Sequence, residues 1–306
     1  MQQDAVEVPA RLVEEQIRWN GSTGRAWIEQ LPAQAADYLA RWDLRRDGPA
    51  LHGAAALVLP VVREDRTPAV LKLQLRDEES EGEAPALRAW AGRRGVVALL
   101  DADDRDGTLL LERLDESRSL GGLPDAMAGV QVIAESLARL TADPAPPGIR
   151  RLGDIAAGLL DDAPELLPEL ADPEQRRLLE RCAAAVREVA GEPGDRLLHW
   201  DLHEENVLAP REGSPRSEPW VVIDPKPLAG DPGFDLFPAI KNRFEADQVL
   251  RRFDLMSEVL GLERERAAAW TLGRVLQDCL WELEDGEDRM PDTHVVVAEA
   301  LLTLRT

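Results

Sequence analysis

Leu198-His199-Trp200-Asp201-Leu202-His203-Glu204-Glu205-Asn206-Val207-Leu208 is followed, after a polar loop, by Val221-Val222-Ile223-Asp224-Pro225-Lys226. Asp201 and Asn206 stand in an H-x-D-x-x-x-x-N arrangement, and Asp224 closes the next short apolar run. Phosphoryl transfer needs this spacing. An aspartate orients the attacking hydroxyl and takes its proton, an asparagine a few residues on holds magnesium, and a second aspartate binds the metal bridging the phosphates. Asp and Asn alone are common turn formers; it is the whole pattern, loop then strand then Asp, that points to chemistry. A rival reading uses the same residues. His199, Asp201 and His203 alternate, so on a strand they share a face and could ligate zinc for a hydrolase. The remaining histidines, His52 and His294, lie far off in sequence.

Outward toward the N-terminus, Ala69-Val70-Leu71-Lys72-Leu73 sets one lysine inside an apolar strand. A buried ammonium is costly unless paired. Glu83, 11 residues later on a segment carrying Leu87 and Trp90, is the expected partner, with Glu79 and Glu81 as competitors. Such a pair would hold the amine against a nucleotide's phosphates; the alternative is a lysine that snorkels from an edge strand. Leu109-Leu110-Leu111-Glu112-Arg113-Leu114 reads as a strand whose exposed backbone groups at Glu112 and Leu114 would meet an adenine ring. Leu51-His52-Gly53-Ala54-Ala55-Ala56 would be the turn over the phosphates, with a single glycine and so a weak signal.

The rest of the chain divides by texture. Residues 24–44 have a helical period through Trp27, Leu31, Ala35, Tyr38, Leu39 and Trp42. Residues 51–62, 69–75 and 108–114 read as strands of a mostly antiparallel sheet, with one helix over 77–91. Helices then dominate: one through Met127–Leu140, one opened by Asp172-Pro173 and stopped at Gly191, and one over Glu263–Asp285. Short strands are expected at 196–198 and 220–224. The expectation is an α+β protein with a small antiparallel-sheet lobe over 1–114, a larger helical lobe over 115–306, and a cleft between them.

Composition narrows the partners. The chain has 306 residues, 44% hydrophobic and 31% charged, and a net charge of −22. That is globular composition, and its sign disfavours nucleic acid and anionic membrane while suiting a cationic small molecule. The longest apolar stretch, residues 51–62, is broken by Gly53 and Pro60 and too short to span a bilayer. Cys182 and Cys279 cannot build a disulfide framework, and no apolar leader opens the chain, so a cytoplasmic protein is expected.

Together Lys72, Glu83, Glu112-Arg113-Leu114, the His199–Asn206 loop and Ile223-Asp224-Pro225 resemble the aminoglycoside phosphotransferases, which share a bilobal protein-kinase-like fold. Gly191–His203, Gly230-Asp231-Pro232-Gly233-Phe234-Asp235-Leu236, Arg25-Ala26-Trp27-Ile28 and Trp281–Gly286 are similar to the streptomycin 6-kinase and hydroxyurea phosphotransferase branch. The resemblance implies ATP and Mg2+ as cofactors, Asp201 as catalytic base, Asn206 and Asp224 as magnesium ligands, Lys72 as phosphate anchor with Glu83 beside it, and Asp235 as a brace for the loop. Two departures stand out. Trp200 occupies the place of a glycine that most aminoglycoside kinases carry before the aspartate, and Glu204-Glu205 replaces the commoner Pro-Gly.

An acceptor site is expected on the helix from Glu263, where Arg274, Asp278, Trp281, Glu282 and Asp285 fall at helical spacings. A guanidinium-bearing sugar would find carboxylates and an aromatic face there, with Asp231 a further candidate; the other reading makes Trp281 core and the acids a solvated face. The function expected is an ATP-dependent O-phosphotransferase acting on streptomycin or a related aminoglycoside. The alternatives are the same chemistry on hydroxyurea or a small cellular metabolite, a non-catalytic nucleotide binder, and the zinc hydrolase.

Overall fold

The computed structural model describes residues 6–53 and 55–305, so Ala54 of the expected phosphate turn lies outside the described residues. The chain forms two compact units, residues 1–115 with 210–221, and residues 116–209 with 222–306. The second is therefore not the continuous 115–306 of the sequence reading, because Pro210–Val221 belongs with the first unit.

The first unit opens with helix α1 (Ala10–Arg41), longer than its periodic half suggests. It bends at Gly21 (φ 52°, ψ −122°), and the bend presses Gly24 onto the Gln16 carbonyl so closely that a Cβ would overlap it. Only glycine tolerates both positions. Strands β1 (Arg45–Arg46), β2 (Leu51–His52), β3 (Ala56–Val62) and β4 (Pro68–Gln74), helix α2 (Glu83–Ala89), and strands β5 (Leu99–Asp103) and β6 (Thr108–Glu112) follow. The sheet order is β1-β3-β4-β6-β5, antiparallel, with β2 also on β3. The expected single strand over 51–62 is thus two, and the expected helix over 77–91 shortens to α2. The reason is local: Asp77 Oδ1 accepts the N–H groups of Glu79 and Ser80, a side-chain turn that competes with helix. Alternation along β4 sends Ala69, Leu71 and Leu73 into a core with Leu31, Ala35, Tyr38 and Leu39 of α1. Tyr38 Oη ties α1 to the β5–β6 turn by donating to Asp106 at 2.7 Å.

The second unit begins in β7 (Asp115–Ser119) and continues through helices α3 (Ala126–Leu140), α4 (Leu152–Leu166) and α5 (Pro173–Val189), and strands β8 (Arg196–Leu198), β9 (Val207–Ala209), β10 (Val221–Val222) and β11 (Leu228–Gly230). Helices α6 (Phe237–Lys241), α7 (Val249–Leu260), α8 (Arg264–Glu284) and α9 (Asp292–Leu302) complete it. The cap read from sequence at Asp172 is in place, accepting from Glu174 N–H; at the start of α8 the structure adds a cap that the sequence reading did not make, Glu263 accepting from Glu265 and Arg266 N–H. α8 packs on α5 and buries Trp270, Leu272, Val275, Leu276 and Cys279. The small strands position the loop of interest. β8 pairs antiparallel with β11, Leu198 opposite Leu228, and β9 sits between β10 and β7. No helix among the described residues is long and apolar enough to cross a membrane. The fold is α+β, with an antiparallel sheet toward the N-terminus and helices toward the C-terminus.

Candidate functional site

In the second unit the His199–Asn206 loop leaves β8 and is bolted down by one buried carboxylate. Asp235, fully buried, accepts the His199 N–H at 2.9 Å on one oxygen and the Trp200 N–H at 2.5 Å on the other. Burial pushes its carboxyl up to about 7, against the two N–H donors and Arg274, which favour the anion. The loop needs such a clamp because Trp200 sits at φ 67°, a left-handed conformation that a bulky L-residue adopts at a cost of about 1–2 kcal/mol. The conformation accounts for glycine as the usual occupant and makes Trp200 an exception held by packing. Its indole is buried, with the guanidinium of Arg150 at 4.6 Å and that of Arg274 at 5.0 Å from its ring, and meets Trp281 edge-on at 6.0 Å.

His199 is a structural member of this loop. Its Nε2 lies 3.0 Å from the Ile223 carbonyl, which only accepts, so Nε2 carries the proton. Burial is the main cause of a pKa lowered to about 4, leaving the ring neutral. The zinc trio is corrected here: His199 is wholly buried with Nε2 on the Ile223 carbonyl, and the described residues contain no group of three or more His, Cys, Asp or Glu able to hold a metal.

Asp201 carries its carboxylate at the loop's tip, one quarter exposed, with Lys226 Nζ at 3.5 Å and His203 Nε2 at 4.0 Å from Oδ2. Asn206 Nδ2 donates to the Asp201 carbonyl at 2.9 Å, and the Asn206 carbonyl accepts the Ile223 N–H at 2.9 Å. The first bond turns the Asn206 amide so that Oδ1 is its remaining ligating atom. Asp224, like Trp200, has a positive φ, 57°. These are hard oxygen donors on two adjoining segments, a set that suits Mg2+, which keeps most of its waters and takes one or two protein oxygens beside substrate phosphates.

In the first unit, Lys72 and Glu83 form a buried pair. Lys72 Nζ donates to Oε1 and Oε2 at 2.8 and 2.7 Å, and Gln74 Nε2 adds a third bond at 2.8 Å. Lys72 lies on β4, the central strand, opposite Val58 and Leu109, which removes the edge-strand reading. Of the competing acids, Glu81 pairs with Arg76. The Glu112 carboxylate is held by Arg216 at 2.6 and 2.5 Å, and its N–H donates to the Ala98 carbonyl. Of the two positions expected to face adenine, Leu114 is thus the one whose N–H no described residue takes up. A cavity of about 390 Å3 in this unit is lined by Trp90, Arg93, Arg94, Val97 and Arg216; Lys72, Glu83 and Leu114 do not line it.

The expected acceptor residues separate into two sets. Asp231 caps the turn at Gly233 and pairs with Arg266 at 2.7 Å. Asp278 is surrounded by Arg274 at 2.5 Å, Lys241 at 3.1 Å and His294 at 3.4 Å. Burial acts to raise its carboxyl, but Arg274, the His294 hydrogen bond and Lys241 hold it well below the ordinary range. Both carboxylates already carry protein cations. Trp281, 40% exposed, and Glu282 face solvent on α8. Lys226 had no role in the sequence reading; the signal was there in the Asp-Pro-Lys run, but which atom it reaches is a tertiary fact.

A model of the aminoglycoside/hydroxyurea antibiotic resistance kinases matches residues 41–286. The chain is 60% identical over 299 residues to a hydroxyurea phosphotransferase of Kitasatospora aureofaciens, covering 97% of this chain and 86% of that protein. It is 52% identical over 304 residues to a streptomycin 6-kinase of Streptomyces glaucescens, covering 97% of each. Among solved structures, aminoglycoside phosphotransferase APH(4)-Ia superposes with a TM-score of 0.61 at 15% identity, over 90% of this chain and 99% of that one.

Proposed function

The chain belongs to the aminoglycoside/hydroxyurea antibiotic resistance kinase family, and on that premise we propose that it transfers the γ-phosphoryl group of ATP to a hydroxyl of streptomycin or a related aminoglycoside. The observation that carries the reading is the clamped loop, in which Asp235 fixes two successive N–H groups and Asn206 is tied to the Asp201 backbone. A geometry held this tightly, around a strained residue, serves chemistry better than it serves stability.

Asp201 would accept the proton of the acceptor hydroxyl as its oxygen attacks phosphorus. Its backbone is fixed from two sides, so the cost of orienting it is met during folding rather than during the reaction. Asn206 and Asp224 would hold magnesium, which supplies charge neutralisation along the phosphates. Lys72, held in place by Glu83, would anchor phosphate oxygens, and Leu114 N–H would donate to the adenine. Trp281 and Glu282 are the acceptor residues left accessible for a cationic ring; Asp231 and Asp278 would shape that surface through the arginines and lysine they fix.

One observation favours a second acceptor. Because Asp278 and Asp231 are already neutralised, the site offers fewer free carboxylates than a strongly cationic sugar would use, which suits small, neutral hydroxyurea; the 60% identical relative bears that name. Incubation with ATP, Mg2+ and either compound, followed by mass spectrometry, separates the two. A phosphate on streptomycin supports the first reading and a phosphate on hydroxyurea alone supports the second. Modification of neither across an aminoglycoside panel defeats both.

A further inference from the structure

Lys226 lies between two buried prolines, Pro225 and Pro227, whose fixed φ stiffens the backbone on both sides. Its N–H donates to the His199 carbonyl at 3.1 Å, while the His199 ring returns a bond to Ile223. The segment after Asp224 and the loop before Asp201 are thus laced together, and the Lys226 ammonium emerges from that lacing 3.5 Å from Asp201 Oδ2. The other group near that oxygen, His203, is a different kind of neighbour. Its Nδ1 is engaged by the Glu205 N–H at 3.3 Å, and its Nε2 stands farther off, at 4.0 Å. Lys226 is the nearer of the two to the carboxylate.

We infer that Lys226 is the positioning residue of the catalytic base: its ammonium fixes the rotation of the Asp201 carboxylate and offsets the repulsion between that carboxylate and the phosphoryl group it must approach. The inference rests on the reading of Asp201 as the base. In the transfer, the acceptor O–H bond breaks and its proton passes to Asp201. The acceptor oxygen bonds to phosphorus, the bond from phosphorus to the nucleoside diphosphate breaks, and the electron pair leaves with the diphosphate. Lys226 neither gains nor loses a proton. A carboxylate beside an incoming anion turns away unless a cation holds it, and a base displaced by about 1 Å costs about 100-fold in rate.

The test compares Lys226→Met, Lys226→Arg and Lys226→Cys before and after alkylation with bromoethylamine, which rebuilds a lysine-like amine. The native thiols of Cys182 and Cys279 are buried, so the reagent finds the introduced one. The methionine variant should lose about 100-fold in kcat while KM for both substrates, and ATP affinity by calorimetry, stay within about threefold. Arginine should restore part of kcat, and aminoethylation of the cysteine variant most of it, which answers the case in which methionine disturbs folding. Unchanged kcat in Lys226→Met, or loss of ATP affinity matching the loss of rate, overturns the inference. Asp201→Asn keeps the two claims apart: if it is inactive while Lys226→Met is fully active, only Lys226 is misassigned; if it is active, the base assignment fails first.

Discussion

Replacing Trp200 by glycine sets two effects against each other that the structure allows to be weighed. On the losing side is a buried indole, whose truncation costs about 3–5 kcal/mol. Contacts with two guanidiniums and with the edge of Trp281 add about 2 kcal/mol, and glycine's extra unfolded-state freedom costs about 1 kcal/mol. On the gaining side, glycine relieves about 1–2 kcal/mol of left-handed strain. It also removes an indole N–H that has no acceptor among the described residues, worth about 1–2 kcal/mol. Packing wins by about 4 kcal/mol, so Trp200→Gly should be less stable by that amount in urea unfolding followed by circular dichroism. The backbone N–H that donates to Asp235 survives the change, so kcat for the phosphorylated antibiotic should stay within about tenfold. A variant as stable as the parent would mean that strain had been underweighted. A folded variant with no turnover would mean that the indole itself serves the chemistry.

Glu83→Gln leaves the buried Lys72 ammonium with one neutral oxygen in place of a carboxylate; stability should fall by about 3 kcal/mol in thermal or urea unfolding, and ATP affinity with it. Two variants should tilt the pH dependence of stability in opposite directions. His199 is depressed to about 4, so its contribution is complete above pH 6.5 and is lost as pH falls toward 4; Asp235 is raised to about 7, so stability drains away as pH rises from about 4 to 7. Relative to wild type, His199→Gln should lose ground as pH rises through that window and Asp235→Asn should gain it; parallel curves would refute both shifts. Asn206→Ala should raise the Mg2+ concentration needed for half-maximal turnover more than it changes KM for the antibiotic, and equal magnesium dependence would remove it from the metal site.

How much of this was legible in the sequence varies with the range of the interaction. Lys72 with Glu83 was readable because an apolar strand cannot hold an unpaired ammonium, and the choice among Glu79, Glu81 and Glu83 was made by the turn at Asp77, which only the folded chain displays. The cap at Asp172 was local and hence visible. Helix α4 carried little pattern, with Pro164 inside it, and β5 was hidden because Asp101 and Asp103 interrupt its apolar run. The Asp201, Asn206 and Asp224 spacing is chain-local. The partners of Asp278 are not: Lys241 and His294 arrive from α6 and α9, and no helical wheel of α8 reveals that this carboxylate is already matched. Trp200 gave a signal of a different kind, since a bulky residue standing where a resemblance calls for glycine marks a positive φ held by packing.

The most direct measurement follows one labelled phosphate. Wild-type protein and Asp201→Asn would be incubated with γ-labelled ATP, Mg2+ and streptomycin or hydroxyurea, and the label traced by mass spectrometry. Label on a hydroxyl of one of the two compounds, at a rate cut by about 1,000-fold or more in the folded variant, is the predicted result. Equal transfer by the two proteins would contradict the account.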